Sequence, residues 1–164
     1  MKKIIWKFIF TVAAFFLLSG IKAQTDMNNA VNATAKPMNE IDLVWGDAPP
    51  SLPKGAKMAV LAGDPTKEGP ITLRAWFPAN YKMAAHSHPG FESVTVIKGS
   101  LYVGVGNKMD MKTATLLKTG GFFAIPATLA HYAYTKEECI FEVHTTGPYV
   151  VNYLNAADDP SKHK

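Results

Sequence analysis

Residues 80–99 read NYKMAAHSHPGFESVTVIKG, and residues 120–135 read GGFFAIPATLAHYAYT. In the first stretch His86 and His88 are two apart. On an extended strand such residues point to the same face, so both imidazoles project to one side, close enough to share a metal. Pro89-Gly90 then turns the chain, and Glu92 brings a carboxylate near the same mouth. In the second stretch His131 starts a strand after Pro126 and its loop, and in a closed barrel it can point into the same cavity. Imidazoles with a carboxylate form a ligand set for Fe(II), Mn(II), Zn(II), Ni(II) or Cu(II). The competing reading is structural: each histidine a satisfied core or surface residue, and Glu92 a surface carboxylate beside a turn.

Outward from these stretches the pattern is that of a β protein. Short runs rich in β-branched and aromatic residues recur at roughly ten-residue spacing, which points to an all-β sandwich or barrel. The candidates are 58–62, 71–77, 93–98, 101–105, 114–117, 122–125, 131–135, 140–144 and 149–153. Ile71, Leu73, Ala75 and Phe77 alternate with Thr72, Arg74 and Trp76, a period of two. Lys98-Gly99-Ser100 reads as the tight turn of a hairpin. Most of the aromatics, among them Trp76, Phe91, Tyr102, Phe122, Phe123, Tyr132, Tyr134 and Phe141, are expected in the core. Pro49, Pro50 and Pro53 argue against helix in 45–57, which is expected to wrap the outside of the barrel. Arg74, the one arginine, faces either way: inward it holds a substrate carboxylate, outward it meets solvent. Glu142 and His144 share one face of a strand, and the sequence leaves open which face is inward; His163 lies in the polar tail.

The spacing His86-x-His88, Glu92, Gly99, followed by Gly120, Pro126 and His131, resembles the two sequence motifs of the cupin superfamily. Asn80 stands where the first motif opens with glycine, and Thr128 and Thr135 replace the glycine and asparagine of the second. More narrowly, the chain looks like the small single-domain bacterial cupins of unassigned function. The resemblance implies a double-stranded β-helix, or jelly-roll β-barrel. It implies one divalent metal ion (Fe, Mn, Ni, Zn or Cu) held by His86, His88, Glu92 and His131. Glu92 is either a ligand or a catalytic base. The activity implied is that of a dioxygenase-type oxidoreductase on a small organic molecule. The alternatives are a non-catalytic module binding a small ligand or metal, and a metal-assisted isomerase or decarboxylase. Cupins often pair through edge strands, so a homodimer is expected.

The 164 residues hold one ordinary domain. At 48% hydrophobic and 18% charged, the chain has enough apolar material for a core and is not wholly disordered. The net charge of +4 belongs to the first 23 residues, which carry Lys2, Lys3, Lys7 and Lys22 and no acid. Without them 13 basic residues balance 13 acidic ones, so nucleic acid is not an expected partner. Residues 1–23 read as a secretory signal peptide: a Lys2-Lys3 n-region, an apolar Phe8–Leu18 stretch, and Ser19, Gly20 and Ala23 before a cut at Gln24. The mature protein is then periplasmic or secreted, with no membrane contact after cleavage. Residues 24–45 read as a flexible arm, 46–158 as the barrel and 159–164 as a disordered tail. Cys139, the one cysteine, reads as a buried inert thiol, which excludes a disulfide framework. No Gly-x-Ser-x-Gly elbow is present, and Gly104-Val105-Gly106 lacks the helix that a phosphate cradle needs.

Overall fold

Ten strands follow one another along residues 37–163, the part of the chain that the computed structural model describes. They are β1 (Gly46–Asp47), β2 (Lys57–Ala62), β3 (Gly69–Phe77), β4 (Lys82–Ser87), β5 (Glu92–Val105), β6 (Thr115–Lys118), β7 (Phe122–Ile125), β8 (His131–Tyr134), β9 (Cys139–Gly147) and β10 (Asn152–Tyr153). These strands belong to one compact unit, which begins at Glu40. The signal-peptide reading of 1–23 and most of the 24–45 arm lie outside the described residues. Among the described residues no helix is long and apolar enough to cross a membrane.

Every pairing is antiparallel. The strands run in the order β1-β2-β3-β9-β5-β8-β4-β10, with β6 and β7 also paired to β5. This all-β, strongly curled sheet encloses one apolar core. The period of two in 71–77 does what it predicts. Ile71, Leu73, Ala75 and Phe77 are buried, and Thr72, Arg74 and Trp76 take the other face. Opposite them on β9, Cys139, Phe141 and Val143 point inward.

The hairpin expected at Lys98-Gly99-Ser100 is not there. Residues 93–98 and 101–105 belong to one 14-residue strand, β5. Its first half pairs with β9 and β7, its second half with β6 and β8. The buried positions change phase across the junction: Glu92, Val94 and Val96 before it, Leu101 and Val103 after it. A register shift against β9 between Val96 and Lys98, with Gly99 at φ 77°, bends the strand from one face of the barrel to the other. A turn glycine and a corner glycine look alike in sequence, because both need a positive φ.

Other expectations also change. Leu52 and Ala56, in the segment expected to wrap the outside, are buried in the core. Two phenols fix that segment: Tyr81 Oη donates to the Pro53 carbonyl at 2.6 Å and Tyr153 Oη to the Ser51 carbonyl at 2.8 Å. Phe91 and Phe122 are exposed (54% and 58%), whereas Tyr132, Tyr134 and Phe141 are core residues as expected. Residues read as a disordered tail form a 3-10 turn at Pro160–Lys162, after another at Ala156–Asp158. Asn155 and Asp159 cap these turns, with side chains accepting from the Ala157 and Ser161 amides.

Candidate metal centre

Three strands, β4, β5 and β8, bring the site together. His86 lies near the end of β4 and faces His131, the first residue of β8, as a direct cross-strand pair with ring centroids 4.2 Å apart. A register shift between Met83 and His86 sets this pairing. His88, just beyond β4, presents its ring on the same side, 5.0 Å from His86 and 5.3 Å from His131. Glu92 opens β5, and its Oε2 lies 3.3 Å from His88 Nε2 and 3.6 Å from His131 Nε2. All four side chains are buried, at 2–5% exposure. The three histidines offer ligand atoms within 4.8 Å of one another.

Which ring nitrogen faces the centre is fixed by the backbone. His86 Nδ1 is 2.7 Å from the Ala84 carbonyl, His88 Nδ1 2.7 Å from the Val150 carbonyl, and His131 Nδ1 3.0 Å from the Leu129 carbonyl. A carbonyl only accepts, so each Nδ1 carries a proton and donates it. In the neutral ring Nε2 is then a bare lone pair. Burial, and after it the neighbouring His131 and His88, push the His86 imidazole well below its ordinary range, so it stays neutral. With the three rings neutral, three acceptor nitrogens and a carboxylate converge on one point. A cation satisfies that arrangement, and the donor set suits a divalent transition ion.

The cavity beneath these groups is mostly apolar, with Leu52, Phe77, Met83, Leu101 and Phe141 in its wall. Its volume is about 40 Å³. On its outer side runs a strap, residues 148–151, between β9 and β10. The Tyr149 ring stacks on His88 with centroids 5.4 Å apart, and its amide donates to the Pro65 carbonyl at 2.9 Å. Burial, then Glu92, hold the Tyr149 phenol well above its ordinary range, so it stays protonated. Sequence reasoning missed both Tyr149 and the Val150 carbonyl. The only signal was an apolar alternation at Tyr149, Val151 and Tyr153, which reads as another strand.

Arg74, Glu142 and His144 are not in the cavity. They occupy the outer face of β3 and β9, opposite Ala75 and Val143 in the alternation. There Arg74 donates to Glu142 Oε2, Glu142 Oε1 lies 3.0 Å from His144 Nε2, and His144 Nδ1 lies 3.2 Å from Thr72 Oγ1. His163 is exposed, with Nε2 3.1 Å from the Ala157 carbonyl.

Comparison with known proteins agrees with this architecture. A family model described as "Domain of unknown function (DUF4437)" matches residues 22–152. Among solved structures, the polyketide cyclase RemF from Streptomyces resistomycificus is similar at a TM-score of 0.60 and 17% identity, covering 78% of this chain and 91% of that one. An RmlC-like cupin from Shewanella frigidimarina has a TM-score of 0.53 at 16% identity, covering 68% and 90%. KdgF from Halomonas sp. has 0.53 at 16%, covering 68% and 95%. At these identities the likeness speaks for the fold alone. A search of curated proteins returns no match.

Proposed function

This chain belongs to the DUF4437 family and has the cupin fold, and from that premise we propose that it is an exported metalloprotein acting on a small organic molecule. His86, His88, His131 and Glu92 would hold one divalent transition metal. The observation that carries this reading is the tautomer lock, three Nδ1–H groups each spent on a carbonyl so that three Nε2 lone pairs face one point. When bound, such an ion supplies Lewis-acid polarisation of a ligand oxygen and, for iron, manganese or copper, electron transfer.

The chain's own groups divide the remaining work. Glu92, close to two of the three imidazoles, serves as a fourth ligand or accepts a proton from the substrate. Tyr149 keeps its proton and is a donor at the cavity wall. The apolar lining limits water around the reacting atoms. A dioxygenase-type oxidoreductase fits this division, because three imidazoles and one carboxylate leave an octahedral ion two positions for co-substrates. The small cavity favours, as a second reading, a module that binds a ligand without turnover.

Elemental analysis of the mature, untagged protein beside a His86→Ala/His131→Ala double variant tests the proposal. We expect near-stoichiometric metal in the wild type and at least about a tenfold loss in the variant. No metal in the wild type after reconstitution with Fe(II), Mn(II), Ni(II), Cu(II) and Zn(II), or equal metal in both, overturns it. Oxygen uptake by the loaded protein separates the two readings. An intact mass beginning at Gln24 after expression in an exporting host tests the leader.

A further inference from the structure

The chemistry of the cavity wall limits what can reach its centre. Among the described residues, Glu92 is the only acidic side chain lining the cavity besides the Tyr149 phenol, and no lysine or arginine lines it. Arg74 is on the outer face, engaged with Glu142. An anionic group placed away from the histidine cluster would therefore be buried against apolar side chains with no counter-charge, which is costly. Size is limited as well. Tyr149, half-buried, forms part of the wall, packs against the core and is held at three points along its strap. Its amide donates to the Pro65 carbonyl, its ring stacks on His88, and the next carbonyl, Val150, accepts from His88 Nδ1.

We propose that the cavity takes a small ligand with at most one anionic group, which it spends on the central cation, and that Tyr149 is the specificity-determining residue for size. This rests on the metal reading above and names the class of ligand for that site. The Tyr149 ring, not its hydroxyl, sets the limit. Removing the ring enlarges the cavity beside His88 and keeps all four metal-binding side chains, at the loss of the stacking on His88.

The experiment loads the full-length mature protein with Co(II) and follows its visible spectrum as hydroxamates are added, chelators that carry their one negative charge at the metal. Wild-type protein is expected to bind acetohydroxamate at least about tenfold more tightly than benzohydroxamate. It is expected to prefer propionohydroxamate by a similar factor over malonic monohydroxamate, in which a carboxylate replaces the terminal methyl. In Tyr149→Ala the size gap closes and the charge gap stays; Tyr149→Phe keeps both. Tyr149→Leu replaces the alanine variant if that one does not fold, with the same expectation of a narrowed size gap. Equal affinities across the wild-type series, or an unchanged size gap in a cobalt-loaded, folded Tyr149→Ala or Tyr149→Leu, overturns the proposal. A wild type that takes up no cobalt or other divalent metal overturns the metal reading, and this proposal with it.

Discussion

Asn80 and Thr128 are the only described non-glycine residues with positive φ, 62° and 65°. They are also the positions where the cupin motifs carry glycine. Both positions are left-handed although neither residue is glycine, and both turns serve the site. The Thr128 amide donates to the His88 carbonyl at 2.9 Å, and the next residue, Leu129, supplies the carbonyl that orients His131. The other departure, Thr135, replaces asparagine and performs a stitching role. Its Oγ1 donates to the Pro78 carbonyl at 2.6 Å and accepts from the Tyr81 amide at 3.0 Å, tying β8 to the Asn80 turn. A β-branched residue in the left-handed region is strained, by about 1–2 kcal/mol. The Thr128 side chain is exposed. Thr128→Gly should therefore stabilise the protein by about 0.5–1 kcal/mol, the relieved strain less glycine's greater chain entropy. Denaturant unfolding checks this, and a loss of stability would mean that the threonine side chain makes a contact worth more than its strain.

At the scale of elements, the corner in β5 decides whether the barrel closes. Gly99 has two reasons to be glycine. Its φ is 77°, and a Cβ there would meet the Glu138 carbonyl oxygen at 2.3 Å. That oxygen belongs to the backbone just before β9, so the clash is relieved only by separating β5 from β9, the pair that carries the core residues Val96 and Phe141. Gly99→Ala should cost more than about 2 kcal/mol, well above the effect of an ordinary surface alanine. A thermal or denaturant midpoint within error of wild type would show that the two strands separate at little cost. Much of this architecture was legible. The alternation in 71–77 reports which face is buried, because a half-buried strand must alternate. The His86-x-His88 and His131 spacing reports a shared site, because paired strands bring those rings together. What was not legible depends on contacts distant in sequence. Leu52 enters the core only because Tyr81 and Tyr153 hold its turn, and the Val150 carbonyl reaches His88 from 62 residues away. Glu142 and His144 could be assigned a face only once β9 was in register with β3.

For the whole molecule, the consequence of closing a barrel around acids that must stay neutral is sensitivity to alkali. Burial pushes the Cys139 thiol from 9.0 up to about 12, with Glu137 adding to it, and burial likewise raises the Tyr81 and Tyr153 phenols above their ordinary 10.0. These groups lie apart: Cys139 on β9 and Tyr81 before β4 are core residues, and Tyr153 on β10 is half-buried. Each keeps its proton in the folded protein at a pH where the unfolded chain has lost it. Between about pH 9 and 12 the unfolded state therefore binds fewer protons, and stability falls as pH rises; below 9 the contribution is fully present. From the thiol alone, the loss between pH 7.5 and 10.5 is on the order of 2 kcal/mol, taking ~1.4 kcal/mol per pH unit above its unfolded value. Denaturant midpoints at the two pH values, at constant ionic strength, are expected to differ in this direction with the same slope. Cys139→Ala should flatten part of the difference, because it removes one of the linked protons. A midpoint that does not move by pH 10.5 would mean that these acids reach water in the native state, and that the barrel is looser than its burial implies.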